Sequence, residues 1–320
     1  MPLLELFGGI TYLFFGGDLL IRGAVSLARR VRISPMLVGL TLVAFGTSAP
    51  ELVVSLRATL TGHAGIALGN IVGSNIANVL FVCGLPAIIY PMSCNQRSAR
   101  RDGLMMLFVS VAFVAMCMMG PLGVRDGLVL LAGLVLFVGY SARVADKSRD
   151  AYDVEHIGSV ARPRVLGLPS GGVQIAMFVL LGVLFLPIGA ELTVHAAVEI
   201  AESLGVGEAV VGLTIVAIGT SLPELVTTVM AAIRKQSDVA VGNILGSNLL
   251  NLLAIGGAVA VTSPTPVQVE PFLGLDLWVM LGAAIVMSFF TWRGTYVGRR
   301  AGVLLVAGYG VYLFTRIAGV

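Results

Sequence analysis

Charged residues are scarce in this sequence. They make up 12% of its 320 residues, compared with roughly 25% in soluble globular domains, whereas 57% of the residues are hydrophobic and the mean hydropathy is +0.98. This balance argues against a soluble globular fold. Cysteine is also rare, and Cys83, Cys94 and Cys117 lack the spacing of a metal site, so we assign them no role.

Two further absences narrow the possibilities. The N-terminus, MPLLELFGG, lacks the basic region that opens a cleavable signal peptide, so we expect the first hydrophobic stretch to remain as a helix. The metalloprotease motif HExxH does not occur, and no membrane histidine recurs beside the serines of the repeated motifs described below. An intramembrane enzyme, with Ser48 or Ser221 as nucleophile and a glutamate as base, is therefore disfavoured.

Long hydrophobic runs dominate what is present. A helix that spans the hydrocarbon core needs about 20 predominantly apolar residues, and the runs are apolar on every face rather than alternating as membrane β-strands do. The sequence therefore predicts an all-α membrane protein with ten transmembrane helices. These begin near Leu3, Pro35, Ile66, Gly103, Asp126, Val173, Ala209, Val239, Phe272 and Tyr296.

The basic residues indicate how the helices are oriented. Sixteen of the 20 lysines and arginines follow odd-numbered predicted helices. By the positive-inside rule these loops are cytoplasmic and both termini lie outside. We interpret the basic clusters as topology signals, and we expect no nucleic-acid partner and no obligatory protein partner.

An internal repeat organises the chain. Residues 38–84 and 211–257 align at a constant offset of 173 with 24 identities in 47 positions and no gap. We expect a first five-helix repeat in residues 1–142, a cytoplasmic linker in residues 143–170 and a second five-helix repeat in residues 171–320. Because five is odd, the two repeats would have inverted topology, with a site near the membrane midplane.

Each repeat carries the motif GTS-x-PE in the middle of an apolar run. Proline removes a backbone donor and clashes with the carbonyl four residues earlier, so Pro50 and Pro223 predict a break in each helix. The freed carbonyls and nearby hydroxyls are hard oxygen donors that suit Na⁺ and Ca²⁺. The candidate oxygen donors are Ala44, Thr47 and Ser48 in the first repeat and Ala217, Thr220 and Ser221 in the second.

The same motif places one carboxylate at each helix centre. A charge there costs about 2.5–3.5 kcal/mol on insertion scales, and no lysine or arginine is placed to pair with both Glu51 and Glu224. The sequence therefore predicts that a cation from solution is the counterion. Two carboxylates match one Ca²⁺, which at least two Na⁺ would have to replace.

A second repeated motif, GN-x-x-GSN-x-x-N, adds polar side chains. Ser74 and Asn78 are four residues apart and share one helical face, as do Ser247 and Asn251. These four residues complete the predicted oxygen cage around the glutamates, although packing of small residues between helices is an alternative reason for the motif.

These motifs resemble the alpha-repeats of the cation/calcium exchanger superfamily, and most of all those of prokaryotic sodium/calcium exchangers. The resemblance implies an antiporter in the prokaryotic inner membrane, with the second, third, seventh and eighth helices broken. It implies Ca²⁺ bound by Glu51, Glu224 and backbone oxygens of Thr47 and Thr220. Flanking Na⁺ would use oxygens of Ala44, Thr47, Ser48, Ser74, Ala217, Thr220, Ser221 and Ser247. The ions are cargo, and no cofactor is expected.

One residue departs from the pattern, because some relatives have an aspartate where this chain has Asn251. The choice among Na⁺, H⁺ and K⁺ as the counter-ion therefore rests on resemblance, and proton/calcium or potassium-dependent exchange is the alternative. A channel is disfavoured because paired antiparallel motifs suit an occluding carrier. Two i, i+4 pairs, Asp18 with Arg22 and Glu191 with His195, are interpreted as local structural pairs.

Overall fold

The computed structural model describes residues 2–156, 168–203, 219–269 and 273–317. Almost all of the regular structure in these ranges is helical. The helices are α1 (Pro2–Val31), α2 (Pro35–Thr47), α3 (Ala49–Leu60), α4 (Ala64–Ile89), α5 (Arg97–Met119), α6 (Val124–His156), α7 (Gly172–Ser203), α8 (Leu222–Ile233), α9 (Ser237–Thr262), α10 (Leu273–Arg293) and α11 (Arg299–Ile317).

The membrane character predicted from the sequence is confirmed. Seven of the described helices (α1, α4, α5, α6, α7, α9 and α10) are long and apolar enough to span a bilayer, and α2 and α3 together form an eighth span bent by 44°. The total of ten spans and the inverted repeats stay predictions. Helix α6 continues to His156, into the segment predicted as a linker, and residues 157–167 of that segment lie outside the described residues.

The break predicted at Pro50 is present. Ser48 leaves the helical conformation with φ −86° and ψ 5°, and Pro50 lies in the first turn of α3, where its missing N–H needs no partner. The second repeat has the same local geometry, because Ser221 has φ −90° and ψ 6° and Pro223 lies in the first turn of α8. Each motif thus starts a short helix whose first turn carries a glutamate.

The third and eighth predicted helices are not broken, contrary to the expectation. Helices α4 and α9 instead pass through one π-helical turn each, at Asn78–Val82 and Asn251–Ile255. Neither turn contains a proline, so the backbone absorbs an extra residue without losing the helix. Asn78 and Asn251 each begin their π-helical turn, which makes these turns part of the site's framework.

Glycines bring α1 and α7 into close contact. Gly9, Gly16 and Gly23 recur every seven residues on α1, and a Cβ atom at any of them would meet α7 within about 3 Å. Gly182 and Gly189 on α7 meet α1 in the same way. Small residues allow membrane helices to approach through their backbones, so α1 and α7 form one tightly packed pair.

A second glycine contact joins α2 to α9. A Cβ atom at Gly39 would lie 2.5 Å from the carbonyl oxygen of Val239, and one at Gly242 or Gly246 would strike carbonyl oxygens of α2. Helix α9 is also the most enclosed span in the described part of the chain, with 83% of its apolar window buried. The end of α2 is therefore held directly against α9.

Two short backbone contacts connect the loops. Strands β1 (Met92–Ser93) and β2 (Tyr296–Val297) pair antiparallel, and the ladder extends to a hydrogen bond from Cys94 N to Thr295 O of 3.1 Å. Leu122 and Val267 form an isolated antiparallel bridge with bonds of 3.0 and 2.8 Å. Burial raises the pKa of the Cys94 thiol to about 12, so this loop cysteine stays protonated.

The α2–α9 contact gives a first prediction. We expect Gly246→Ala to destabilise the protein by about 1–3 kcal/mol, because the added methyl group overlaps the Leu40 carbonyl and lies 2.7 Å from the Ala44 Cβ atom. Thermal unfolding of the detergent-solubilised protein measures this. Gly308→Ala is the control, since Gly308 is exposed and a methyl group added there would meet no described atom within 4 Å. Equal melting temperatures for the two variants would contradict the close approach.

Candidate functional site

The centre of the site is a pair of glutamates. Glu51 in α3 and Glu224 in α8 are both completely buried, and their carboxyl groups are near enough to interact directly. No described lysine or arginine forms an ion pair with either one. Ser48 Oγ donates to Glu224 Oε1 at 2.9 Å, so the break in the first repeat contacts the carboxylate of the second.

Helices α4 and α9 add a second group of polar contacts. Asn78 and Asn251 are fully buried where the π-helical turns begin. Asn251 Nδ2 donates to Ser74 Oγ at 2.9 Å, which joins the two helices, and Ser74 Oγ in turn donates to the Asn70 carbonyl at 2.6 Å. The hydroxyl of Ser74 and the amide of Asn251 are therefore oriented by each other.

Seven buried oxygens of the predicted site residues have no hydrogen-bond partner among the described residues. A buried polar atom without a partner costs about 1–3 kcal/mol, and more if it is charged. A group of such atoms therefore indicates that a ligand binds to them. The oxygens concerned are Oε1 and Oε2 of Glu51, Oε2 of Glu224, Oδ1 of Asn78 and Asn251, and Oγ of Ser221 and Ser247.

The predicted site residues are mostly found together or buried. Direct hydrogen bonds connect Ser48 with Glu224 and Ser74 with Asn251. For the remaining predicted residues the structure gives the burial, with one exception. Ala44, Thr47, Ser221 and Ser247 are buried, Thr220 is half-buried, and Ala217 lies outside the described residues with the rest of 204–218.

Sequence reasoning missed a further pair of contacts. Asn70 Nδ2 donates to Ser55 Oγ at 3.0 Å, and Asn243 Nδ2 donates to Thr228 Oγ1 at 3.2 Å. The second pair is the first one shifted by 173 residues. The two asparagines are the second residue of GN in each copy of the second motif, so the repeat itself contained the signal that they have a common role.

The two predicted local pairs have different outcomes. Asp18 does pair with Arg22, at 2.8 Å, but it also pairs with Arg234 at the end of α8, which was not foreseen. His195 pairs with Glu5 of α1, with Nδ1 3.0 Å from Oε1, so its partner in the structure is a residue of another helix and not Glu191. Both unforeseen contacts connect α1 to a helix distant in the sequence.

Two buried carboxylates at helix breaks, in a chain with further buried oxygens that have no described hydrogen-bond partner, offer the hard oxygen donors that Na⁺ and Ca²⁺ prefer. A family profile described as "Sodium/calcium exchanger protein" matches residues 2–143 and 174–318. The chain belongs to this family. The sodium/calcium exchangers are transporters, so Ser48 is not interpreted as an enzymatic nucleophile despite its contact with Glu224.

Individual relatives match over nearly their full length. Inner membrane protein YrbG of Escherichia coli is 34% identical over 310 residues, which cover 95% of this chain and 93% of the relative. Sodium/calcium exchanger MaX1 of Methanosarcina acetivorans is 31% identical over 335 residues and covers 95% of both chains. Solved structures of the sodium-calcium exchanger NCX_Mj match with a TM-score of 0.82 and 26% identity, covering 98% of each chain. The protein is an integral membrane protein with the exchanger fold.

The two adjacent carboxylates give a second prediction. In ion-free buffer, at a pH where both glutamates are ionised, Glu51→Gln should stabilise the protein by at least about 1 kcal/mol, because the substitution removes the repulsion between two adjacent like charges. Thermal unfolding in chelator measures it. Glu191→Gln, at an exposed position of α7, is the control and should leave the melting temperature unchanged. A lower melting temperature for Glu51→Gln would show that the carboxylate is already compensated.

Proposed function

We propose that this protein exchanges Na⁺ for Ca²⁺ across the membrane, with both ions competing for the site around Glu51 and Glu224. The observation that carries the proposal is the set of buried oxygens without donors at two adjacent carboxylates. Oxygen atoms are the ligands that both ions prefer, and Ca²⁺ takes six to eight of them. The family membership agrees with this cargo.

Charge determines how the ions would compete. The two carboxylates neutralise one Ca²⁺, and two Na⁺ are the minimum that balances the same charge. Asn78 and Asn251 supply amide oxygens without adding charge, so the site has two strong anions and not three. Bound Ca²⁺ and bound Na⁺ would therefore exclude each other by charge as well as by space.

Alternating access follows from the proposed repeats in residues 1–142 and 171–320, connected by the linker 143–170. Contacts in the structure support the repeat beyond the two motifs. Cys94 N donates to Thr295 O, and Val267 N donates to Leu122 O. The offset of 173 relates residue 94 to residue 267 and residue 122 to residue 295, so these two contacts are equivalent in the two repeats. With the basic loops in the cytoplasm and both termini outside, the two halves would have opposite orientations and give the site access to each side in turn.

The counter-ion is tested by calcium-45 uptake into proteoliposomes that contain the wild-type protein or Glu51→Gln. An outward Na⁺ gradient should drive uptake by the wild type, and the variant should lose it at least about a hundredfold, because one of the two anions that balance Ca²⁺ is gone. Glu191→Gln, at an exposed position of α7, is the matched control and should transport normally.

The same vesicles distinguish the alternatives. Uptake driven by a proton gradient alone would identify proton/calcium exchange at the same carboxylates, and a requirement for K⁺ would identify potassium-dependent exchange. If no gradient drives calcium uptake, Ca²⁺ is not the cargo, and the proposal is wrong.

The moving part in our proposal is the α1–α7 pair, which slides against α2, α3, α4, α8 and α9. The glycine contacts hold α1 and α7 together, whereas α1 meets α8 near Gly17 and through the ion pair of Asp18 with Arg234. That ion pair would have to change its partners when α1 moves past the end of α8.

Disulfides test this motion in a background without the three native cysteines. Gly17→Cys with Val226→Cys joins α1 to α8, since a Cβ atom at position 17 lies 3.0 Å from Val226 Cγ1, and oxidation should abolish exchange. Gly23→Cys with Val179→Cys joins α1 to α7 at a similar distance and should leave exchange intact. Reduction must restore the first variant. Full exchange in its oxidised form would contradict the sliding motion.

A further inference from the structure

Asn243 of α9 lies between the two halves of the site. It is 1% exposed, and its side chain contacts residues of two other helices. Its Nδ2 donates to Thr228 Oγ1 of α8 at 3.2 Å, and its Oδ1 accepts from Thr47 Oγ1, at the end of α2, at 3.3 Å. Thr47 is one of the proposed ion ligands, whereas Asn243 is not.

The hydrogen bonds fix which way the amide faces. Thr228 Oγ1 donates its one hydrogen to the carbonyl of Glu224 at 2.7 Å. It can therefore only accept from Asn243, which requires the amide NH₂ group on that side. The amide oxygen of Asn243 must then face Thr47. The Glu224 carbonyl of α8 therefore determines that Asn243 presents its amide oxygen, and not its NH₂ group, to Thr47 at the helix break of the first repeat.

The hydroxyl of Thr47 has one hydrogen and several acceptors. Its Oγ1 lies 3.3 Å from the carbonyl of Ala44 and 3.3 Å from Asn243 Oδ1, and the Glu224 carboxylate is also within its reach. A cation at the carboxylate repels the hydroxyl hydrogen, so the hydrogen must point to Asn243 or to Ala44. If it points to Ala44, it occupies a lone pair of another proposed Na⁺ ligand.

We propose that Asn243 is a positioning residue for Na⁺. By accepting the Thr47 hydrogen, it leaves the hydroxyl lone pairs of Thr47 and the carbonyl of Ala44 free to bind the ion. This inference rests on the proposed function and on the resemblance to the exchangers, which implies that Ala44 and Thr47 supply oxygens to Na⁺. The same resemblance implies a backbone oxygen of Thr47 as the Ca²⁺ ligand, so the effect of Asn243 should be selective for Na⁺.

The test measures half-saturating Na⁺ and half-saturating Ca²⁺ separately in proteoliposome exchange. Asn243→Ala should raise half-saturating Na⁺ about tenfold, as expected for the loss of hydrogen bonding at an ion ligand, and change half-saturating Ca²⁺ less than about twofold. Thr227→Val is the control, because Thr227 is equally buried beside Thr228 on α8 but its hydroxyl donates to Pro223 within the same helix. This control should show no shift selective for Na⁺.

A double-mutant cycle shows whether Asn243 acts through the Thr47 hydroxyl. Thr47→Val removes the hydroxyl and keeps the backbone carbonyl, so it should raise half-saturating Na⁺ by itself. Adding it to Asn243→Ala should cost less than about a further twofold. Thr228→Val removes the hydroxyl that orients the Asn243 amide, so it should also raise half-saturating Na⁺. This variant replaces Asn243→Ala in the test if Asn243→Ala does not fold.

Three results overturn the inference. Equal shifts for Na⁺ and Ca²⁺ would show a merely structural role for Asn243, and additive effects with Thr47→Val would show that it acts elsewhere. An unchanged half-saturating Na⁺ would show that it has no role at the site. If the wild type shows no exchange driven by Na⁺, the proposed function itself fails, and that outcome is seen before any variant is compared.

Discussion

Two carboxylates in the interior of a membrane protein, without an arginine or lysine paired to them in the described part of the chain, impose a large energetic demand. Transfer of one such ion to a low-dielectric medium costs on the order of 20 kcal/mol in the idealised case and several kcal/mol in real proteins. Glu51 and Glu224 are fully buried. The hydrogen bond from Ser48, at the first helix break, to Glu224 offsets only part of this cost.

The packing elsewhere serves the same centre. Helix α2 ends at the first break, and its glycine contact with α9 holds that end where Ser48 reaches Glu224 and Thr47 reaches Asn243. A larger residue at Gly242 or Gly246 would push the two helices apart and separate these contacts. The small residues are thus as necessary to the site as its polar residues, although none of them offers a side-chain ligand.

The sequence predicted the parts of the site that depend on local chemistry. Proline removes a backbone donor wherever it occurs in a helix, so the breaks at Pro50 and Pro223 followed directly. The repeated glutamates predicted a pair of carboxylates, and the structure buries both of them side by side. Contacts across the fold were not predictable in this way. Thr47 and Asn243 are 196 residues apart, and Asp18 and Arg234 are 216 apart, so each contact depends on which helices pack together. The π-helical turns were missed because no residue type marks them as proline marks a break.

In the proposed exchange, the two carboxylates would also couple the ion fluxes and prevent a leak. With cargo bound, the centre is close to neutral, and the surrounding helices can close around it at little electrostatic cost. Without cargo, closure would seal two like charges into a medium where neither water nor a described basic residue compensates them. The empty site is therefore expected to stay open to solution, and the change from one side to the other requires an ion in each direction. Coupling between the two fluxes then arises from the cost of burying Glu51 and Glu224, and no separate gate is needed to enforce it.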